Sequence, residues 1–330
     1  MIIKHFYTVC LCAFFILTIL LPFFALIGDG DDNINLNDNH LHGEYFNLFL
    51  HEEQRVVEVS VSEYLFGVVA AEISFIGEDA AIKAQIVASY TFALYRKNAR
   101  AENPDEAILN ADLTSSSEFD QAFFTSEQAR EHLGDRYSES RAKFSRLMQE
   151  VAGLYLSYNN QPIFAAYHAI SVGQTESAYN VFGREISYLQ PVESIGDLLA
   201  PGYLSTVEVS TVEFRDTLQA LISEKTGENL ESVDLGEIAV TPPTLSDSGY
   251  VLEIEIDQNT FTGPQIRQFF GLRSTNFDLT QIDGNFVFTV RGHGHGVGMS
   301  QLGARHMAEQ GSSFREILNW FYSGVEIVRS

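Results

Sequence analysis

The chain opens on an uncharged apolar run, FYTVCLCAFFILTILLPFFALI from Phe6 to Ile27. As a helix it would extend roughly 33 Å, enough to cross the hydrocarbon core of a bilayer. Lys4 precedes the run and GDGDD follows it, so the positive-inside bias places the N-terminus in the cytoplasm and everything after Gly28 outside. A cleaved signal peptide is the rival reading. The run exceeds an ordinary signal-peptide core and ALIGDG is a poor small-residue cleavage site, so an uncleaved single-pass anchor is expected over residues 1–28. Residues 29–53 are rich in Asp, Asn and His, with apolar residues gathered around Tyr45 to Leu50; they are expected as an acidic polar tether.

Beyond residue 54 the pattern alternates between strand and helix periods. Val57, Val59 and Val61 alternate in RVVEVSVSEYL, a strand that gives way to a short helix over Glu63 to Ala71, with Ser62 as its N-cap. Glu78 to Arg100 carries Ala, Ile, Val, Phe and Leu at helical spacing with basic residues at its end, and is expected as a core helix. Residues 101–150 are polar, with helical pattern in Thr125 to Leu133 and Arg141 to Val151; an exposed helical excursion without a motif is expected there. Hairpins are expected at Asn159-Asn160 and Asp283-Gly284, a helix over Thr211 to Thr226 capped by Ser210, a strand in YVLEIEI, and a Pro-initiated helix in FTGPQIRQFFGLR. RGHGHGVGMSQLGARHMAEQG passes from a glycine-rich loop into a helix near Met299. The expected fold class is α+β: a single mixed domain over 54–330, of short strands, hairpins and helices, behind the transmembrane helix.

Composition narrows the function. Among 330 residues, 20 are Lys or Arg against 44 Asp or Glu, a formal net charge of -24. Nucleic acid rewards clustered cations, so it is excluded as the main partner. Both cysteines, Cys10 and Cys12, lie in the apolar run, which leaves the exported part without disulfides, thiol nucleophiles or thiolate metal sites.

Three places carry candidate chemistry. Glu72 ends the apolar run GVVAAEISF and reads either as a solvated helix-end glutamate or as a proton donor. Val68, Val69, Ile73 and Phe75 surround it in sequence, and desolvation by them would raise its pKa toward that of a general acid. In GHGHGVGMSQLG, glycines 292, 294, 296 and 298 imply positive φ or a close backbone approach. If that stretch is extended, His293 and His295 share a face; hydrogen bonding to substrate competes with a metal pair. His168, Ser171, Gln174, Thr175 and Glu176 form a polar cluster after an expected strand, either a hydrogen-bonded turn or a binding site. No GxSxG, HExxH or P-loop pattern occurs.

Taken in order, SEYLFGVVAAEIS, EDAAIKAQIVASYTFAL, FAAYHAISVGQTES, VFGREISYLQPVESIGD, TGPQIRQFFGLRSTNF and GHGHGVGMSQLGARHMAEQGSSFREILNWFYSGVEI resemble the stage II sporulation protein D family, whose relatives include amidase enhancers of the bacterial cell wall. The resemblance implies a lytic transglycosylase cutting peptidoglycan between MurNAc and GlcNAc in strands stripped of stem peptides, acting in engulfment during sporulation. It implies Glu72 as acid then base, and His168, Gln174, Arg273, Ser274, His293, His295, Ser300 and Gln301 as substrate-binding residues. A cell-wall amidase of the stage II sporulation protein P type is the implied partner, and no cofactor is implied. Two departures stand out. Where many relatives have Ala-Arg-Thr-Tyr-Ala-Leu, this chain has Ser89-Tyr90-Thr91-Phe92-Ala93-Leu94. Some relatives also place Cys and His zinc ligands near the FAAYHAISVGQTES block; here Ser171 and Gln174 are poor ligands, so no structural zinc is expected. The alternatives are a non-catalytic glycan-binding activator of an amidase, and a metal-dependent hydrolase built on His168, His293 and His295.

Overall fold

The computed structural model describes residues 44–73, 77–226 and 238–330. The expected anchor, both cysteines and residues 29–43 of the tether lie outside the described residues. Among the described residues no helix is long and apolar enough to cross a membrane.

The valine-rich segment forms β2 (Arg55–Ser60), and its partner is β1 (Tyr45–Leu50). They pair antiparallel, Phe46 opposite Val59 and Leu48 opposite Val57. Phe46, Leu48 and Leu50 are buried, so the folded part begins within the span expected as tether. The apolar cluster around Tyr45 to Leu50 is a core strand because it alternates inward. Helix α1 (Val61–Glu72) follows directly, and its N-cap is Ser60, not Ser62: the Ser60 hydroxyl accepts from the Glu63 N–H at 3.2 Å. Tyr64 to Ala70 are all buried, so α1 runs through the interior.

Helix α2 (Asp79–Glu102) packs along α1 and carries three buried polar residues, Gln85, Ser89 and Thr91. The segment expected as an exposed excursion is helical but contributes to the core. It contains β3 (Leu113–Thr114), α3 (Ser126–Leu133) and α4 (Tyr137–Glu150), and buries Leu113, Ala129, Leu133, Phe144, Leu147 and Met148. Asp120 anchors it, accepting from Arg96 Nε and Arg100 Nη1, both at 2.6 Å. Polar composition concealed this because the inward positions are few and widely spaced.

Next, β4 (Leu154–Tyr158) and β5 (Gln161–Pro162) form the expected hairpin, with Asn159 and Asn160 at φ 53° and 61°. After them come β6 (Tyr167–His168) and α5 (Ala178–Phe182). A second hydrophobic core then forms around β7 (Leu204–Ser210), α6 (Thr211–Thr226), β8 (Thr244–Leu245), β9 (Val251–Ile256), β10 (Asn259–Thr262), α7 (Gly263–Phe269), β11 (Asn276–Ile282) and β12 (Asn285–Arg291). Here β12 lies between β11 and β7, antiparallel to both, and Phe214 stacks on Phe270 and Phe286. The chain returns to the first core through β13 (Met299–Ser300), parallel to β6, then α8 (Gln301–Glu309), α9 (Phe314–Phe321) and β14 (Glu326–Arg329) on β4. The α+β class holds.

Candidate active-site cleft

Glu72 is the last residue of α1, half-buried at a helix end where backbone carbonyls already disfavour a negative charge. Its carboxylate accepts from the Ala122 N–H at 3.1 Å and from the Gln301 side-chain amide at 3.3 Å. Burial pushes its pKa above the usual glutamate value, while Ala122, Gln301 and the Tyr167 hydroxyl pull it part of the way back. Both states are thereby provided for, since burial favours the neutral acid and the donors receive the carboxylate.

The sequence builds this pocket from four places. Gly67 admits the Ala122 loop: a Cβ there would lie 2.4 Å from a Phe123 ring carbon and 2.4 Å from the Phe124 carbonyl oxygen. Gln301 starts α8, whose Ser300 N-cap accepts from the Gly303 N–H at 3.2 Å. Its amide also reaches Gln85 on α2, at 3.4 Å, and Gln85 donates to Ser89 at 3.0 Å. Tyr167 on β6 donates to Gln121 at 2.7 Å, and Gln121 donates to Tyr64 at 2.9 Å. A connected polar network thus holds the carboxyl from behind.

The glycine-rich loop fits both sequence expectations. All four glycines have positive φ, and a Cβ on Gly298 would fall 2.0 Å from the Ala166 carbonyl oxygen, one on Gly294 2.7 Å from the His168 Cβ. The loop therefore presses against residues 166–170, with His293 and Ile170 exchanging backbone hydrogen bonds at 2.8 and 3.0 Å. His168 Nδ1 lies 3.1 Å from the Val297 carbonyl oxygen, which makes it the protonated nitrogen; its buried Nε2 has no hydrogen-bond partner among the described residues. His295 Nδ1 accepts from the Val297 N–H at 3.0 Å. Burial lowers the pKa of His168 to about 3 and of His295 to about 4. His293 is lowered by burial, then by Arg273 and Arg267. The imidazoles are neutral hydrogen-bonding groups at neutral pH.

A cleft of about 740 Å³ opens in front of Glu72 and gathers Tyr167, His168, Arg267, Arg273, His293, His295 and Gln301. Six of the nine residues expected at the site therefore meet: Glu72, His168, Arg273, His293, His295 and Gln301. Gln174, Ser274 and Ser300 do not line it. Ser300 is buried, its hydroxyl donating to Asp197 at 2.9 Å and capping α8. Ser274 is buried and holds the chain at β11, donating to the Arg291 carbonyl and accepting from the Asn276 N–H at 3.0 Å. Gln174 pairs through its backbone with Glu193. In the polar cluster around them, Asp197 accepts from the Ser171 N–H at 2.9 Å, and Glu176 from Asn180 at 3.0 Å, so much of it is a hydrogen-bonded turn. His168, His293 and His295 share the cleft, but among the described residues no three His, Cys, Asp or Glu side chains are grouped to hold a metal ion.

Sequence reasoning missed Tyr167, Gln121, the Ala122 N–H, Gln85 and Arg267. Gln85 carried a signal, a polar residue on the apolar face of a core helix; a backbone N–H donor such as Ala122 carries none.

The family model for the Stage II sporulation protein matches residues 50–158. Stage II sporulation protein D of Bacillus amyloliquefaciens is 32% identical over 273 residues, covering 82% of this chain and 75% of that one. The protein of the same name from Bacillus subtilis (strain 168) is 32% identical over 277 residues, 83% of this chain and 76% of that one. An amidase enhancer of Bacillus subtilis (strain 168) is 20% identical over 226 residues, 56% of this chain and 32% of that one. Similarity at this level across four-fifths of its length means that the chain belongs to the stage II sporulation protein D family.

Proposed function

We propose that this sporulation protein is a membrane-anchored lytic transglycosylase, cutting the MurNAc-GlcNAc bonds of stem-peptide-free peptidoglycan strands and leaving 1,6-anhydro-MurNAc ends. The observation that carries the reading is the solitary carboxyl: Glu72 is the one acidic side chain among the described residues lining the cleft. Glycoside hydrolases ordinarily need two carboxylates, to manage a water or a covalent intermediate. A lytic enzyme needs one, because the sugar supplies its own nucleophile. In the neutral form that burial favours, Glu72 donates to the glycosidic oxygen as the bond to C1 breaks. As a carboxylate it takes the proton of the C6 hydroxyl, which attacks C1 and closes the anhydro ring. Ala122 and Gln301 receive the charge in between, and water is not consumed.

The apolar run at residues 6–27 supports anchoring in the cell membrane with the catalytic part in the septal space, where the protein would act in engulfment beside an amidase of the stage II sporulation protein P type that strips the strands. The relative named an amidase enhancer favours a second reading, a glycan-binding activator without catalysis. Mass spectrometry of strand ends separates them: wild type yields anhydro ends that Glu72→Gln and Glu72→Ala abolish, whereas an activator binds strands and cuts nothing.

A further inference from the structure

The cleft is cationic in an acidic chain. Net charge is -24, yet its wall carries Arg267, Arg273 and Arg305 against Glu72 alone. Arg305 pairs with Glu309 at 2.8 Å. Neither Arg267 nor Arg273 has a carboxylate partner among the described residues. The side chain of Arg267, in the last turn of α7, makes one hydrogen bond among the described residues, from Nε to the Leu272 carbonyl at 3.3 Å. Arg273 donates to the Gly202 carbonyl at 3.2 Å and to His293 Nδ1 at 2.8 Å. Arg267 is half-buried, and burial holds its pKa below the usual guanidinium value. A desolvated cation with no anion beside it is costly to keep, unless a ligand brings the anion.

We propose that Arg267, with Arg273 on the same wall, is the subsite for the free lactyl carboxylate of a peptide-free MurNAc residue. This rests on the glycan-cleaving reading above. The lactyl group on O3 ends in a carboxylate when the stem peptide has been removed. While the peptide is attached, the same carbon is a neutral amide. A guanidinium fork gives a carboxylate two parallel charge-assisted hydrogen bonds, and an amide oxygen offers neither the charge nor the second acceptor. Both guanidiniums act on His293, so they form one positive field at one side of the cleft, which low-dielectric walls focus. Selection for stripped strands is, on this account, a reading of charge at Arg267 as well as of bulk.

The test uses the full chain in detergent, carrying Glu72→Gln so that strands stay intact. Two probes are compared by calorimetry: peptide-free strands with free lactyl carboxylates, and the same strands with those groups converted to methylamides. The carboxylate form is expected to bind about tenfold to a hundredfold tighter, the margin narrowing with salt. Adding Arg267→Gln reduces the margin to within about threefold while leaving methylamide binding unchanged, and Arg267→Lys falls between. Thermal melts of Arg267→Gln should match or exceed the parent, since an unpaired half-buried cation has been removed. Equal binding of the two probes overturns the subsite, as does an Arg267→Gln variant that weakens both equally. End-group analysis with Glu72 intact reports on the parent reading separately. Reducing ends with the carboxylate margin preserved leave the subsite standing and remove the lytic mechanism; anhydro ends with no margin remove the subsite alone; no binding of either strand removes both.

Discussion

Gly67→Ala perturbs Glu72 from more than a helical turn away. The new methyl would sit 2.4 Å from the Phe123 ring and from the Phe124 carbonyl oxygen. Carbon contacts relax near ~3.5 Å, so the loop must retreat by about 1 Å. The Ala122 N–H, 3.1 Å from Glu72 Oε1, then passes beyond hydrogen-bonding range. A hydrogen bond to a charged group is worth about 1.5–3 kcal/mol, which converts to a further rise of about 1–2 pKa units for Glu72. Overpacking costs ~1–3 kcal/mol of stability, offset by ~1 kcal/mol from the better helix propensity of alanine. Carbon-13 NMR titration of labelled glutamate carboxyls reads the shift directly, and the basic limb of the cleavage pH profile should move up with it. An unchanged Glu72 titration in a variant whose melting point has dropped would refute the account, because the loop would have moved without releasing the carboxyl.

Other perturbations test the same geometry. Glu72 has a raised pKa in the fold, so the native state binds the extra proton and its stability falls as pH climbs from the ordinary glutamate value through the raised one. Glu72→Gln should therefore raise the melting point at pH 8, and the gain should vanish toward pH 4; a pH-independent gain would contradict the burial argument. His168 and His295, held down to about 3 and about 4 from 6.5, stabilise above pH 6.5 and lose that contribution as the unfolded chain takes up protons below it. At pH 5 each should cost about 2 kcal/mol relative to pH 8, and urea melts of His168→Gln should show a flatter acid slope. Asp120→Asn strips the anion from Arg96 and Arg100 around a fully buried carboxylate; a loss of about 3–5 kcal/mol in urea unfolding is expected, and one under about 1 would mean the pair is not structural.

Much of the domain was legible because its elements obey single rules. The Ser210-capped helix, the hairpins at Asn159-Asn160 and Asp283-Gly284 and the Pro-initiated helix stand as read. Local periodicity failed at β1 for another reason: its partner β2 is only a short turn away, but the polar residues before it masked the inward alternation of Phe46, Leu48 and Leu50. A form truncated at its N-terminus must accordingly keep Tyr45. At the site, Glu72 and the glycine-spaced histidines were legible from desolvating neighbours and from four glycines that each need positive φ. Ser274 and Ser300 were misplaced because serine reads alike as ligand group and as cap; here the hydroxyls close turns and helix ends. Residues 113–124 looked empty of function because what they give Glu72 is a backbone N–H.

In the proposed reaction a single carboxyl breaks the glycan without water. The most direct measurement is cleavage of stem-peptide-free strands by the full chain in oxygen-18 water, with the new ends read by mass spectrometry. The account predicts anhydro-MurNAc ends free of the label, absent with Glu72→Gln. Reducing MurNAc ends carrying oxygen-18 would contradict it and make the protein a hydrolase.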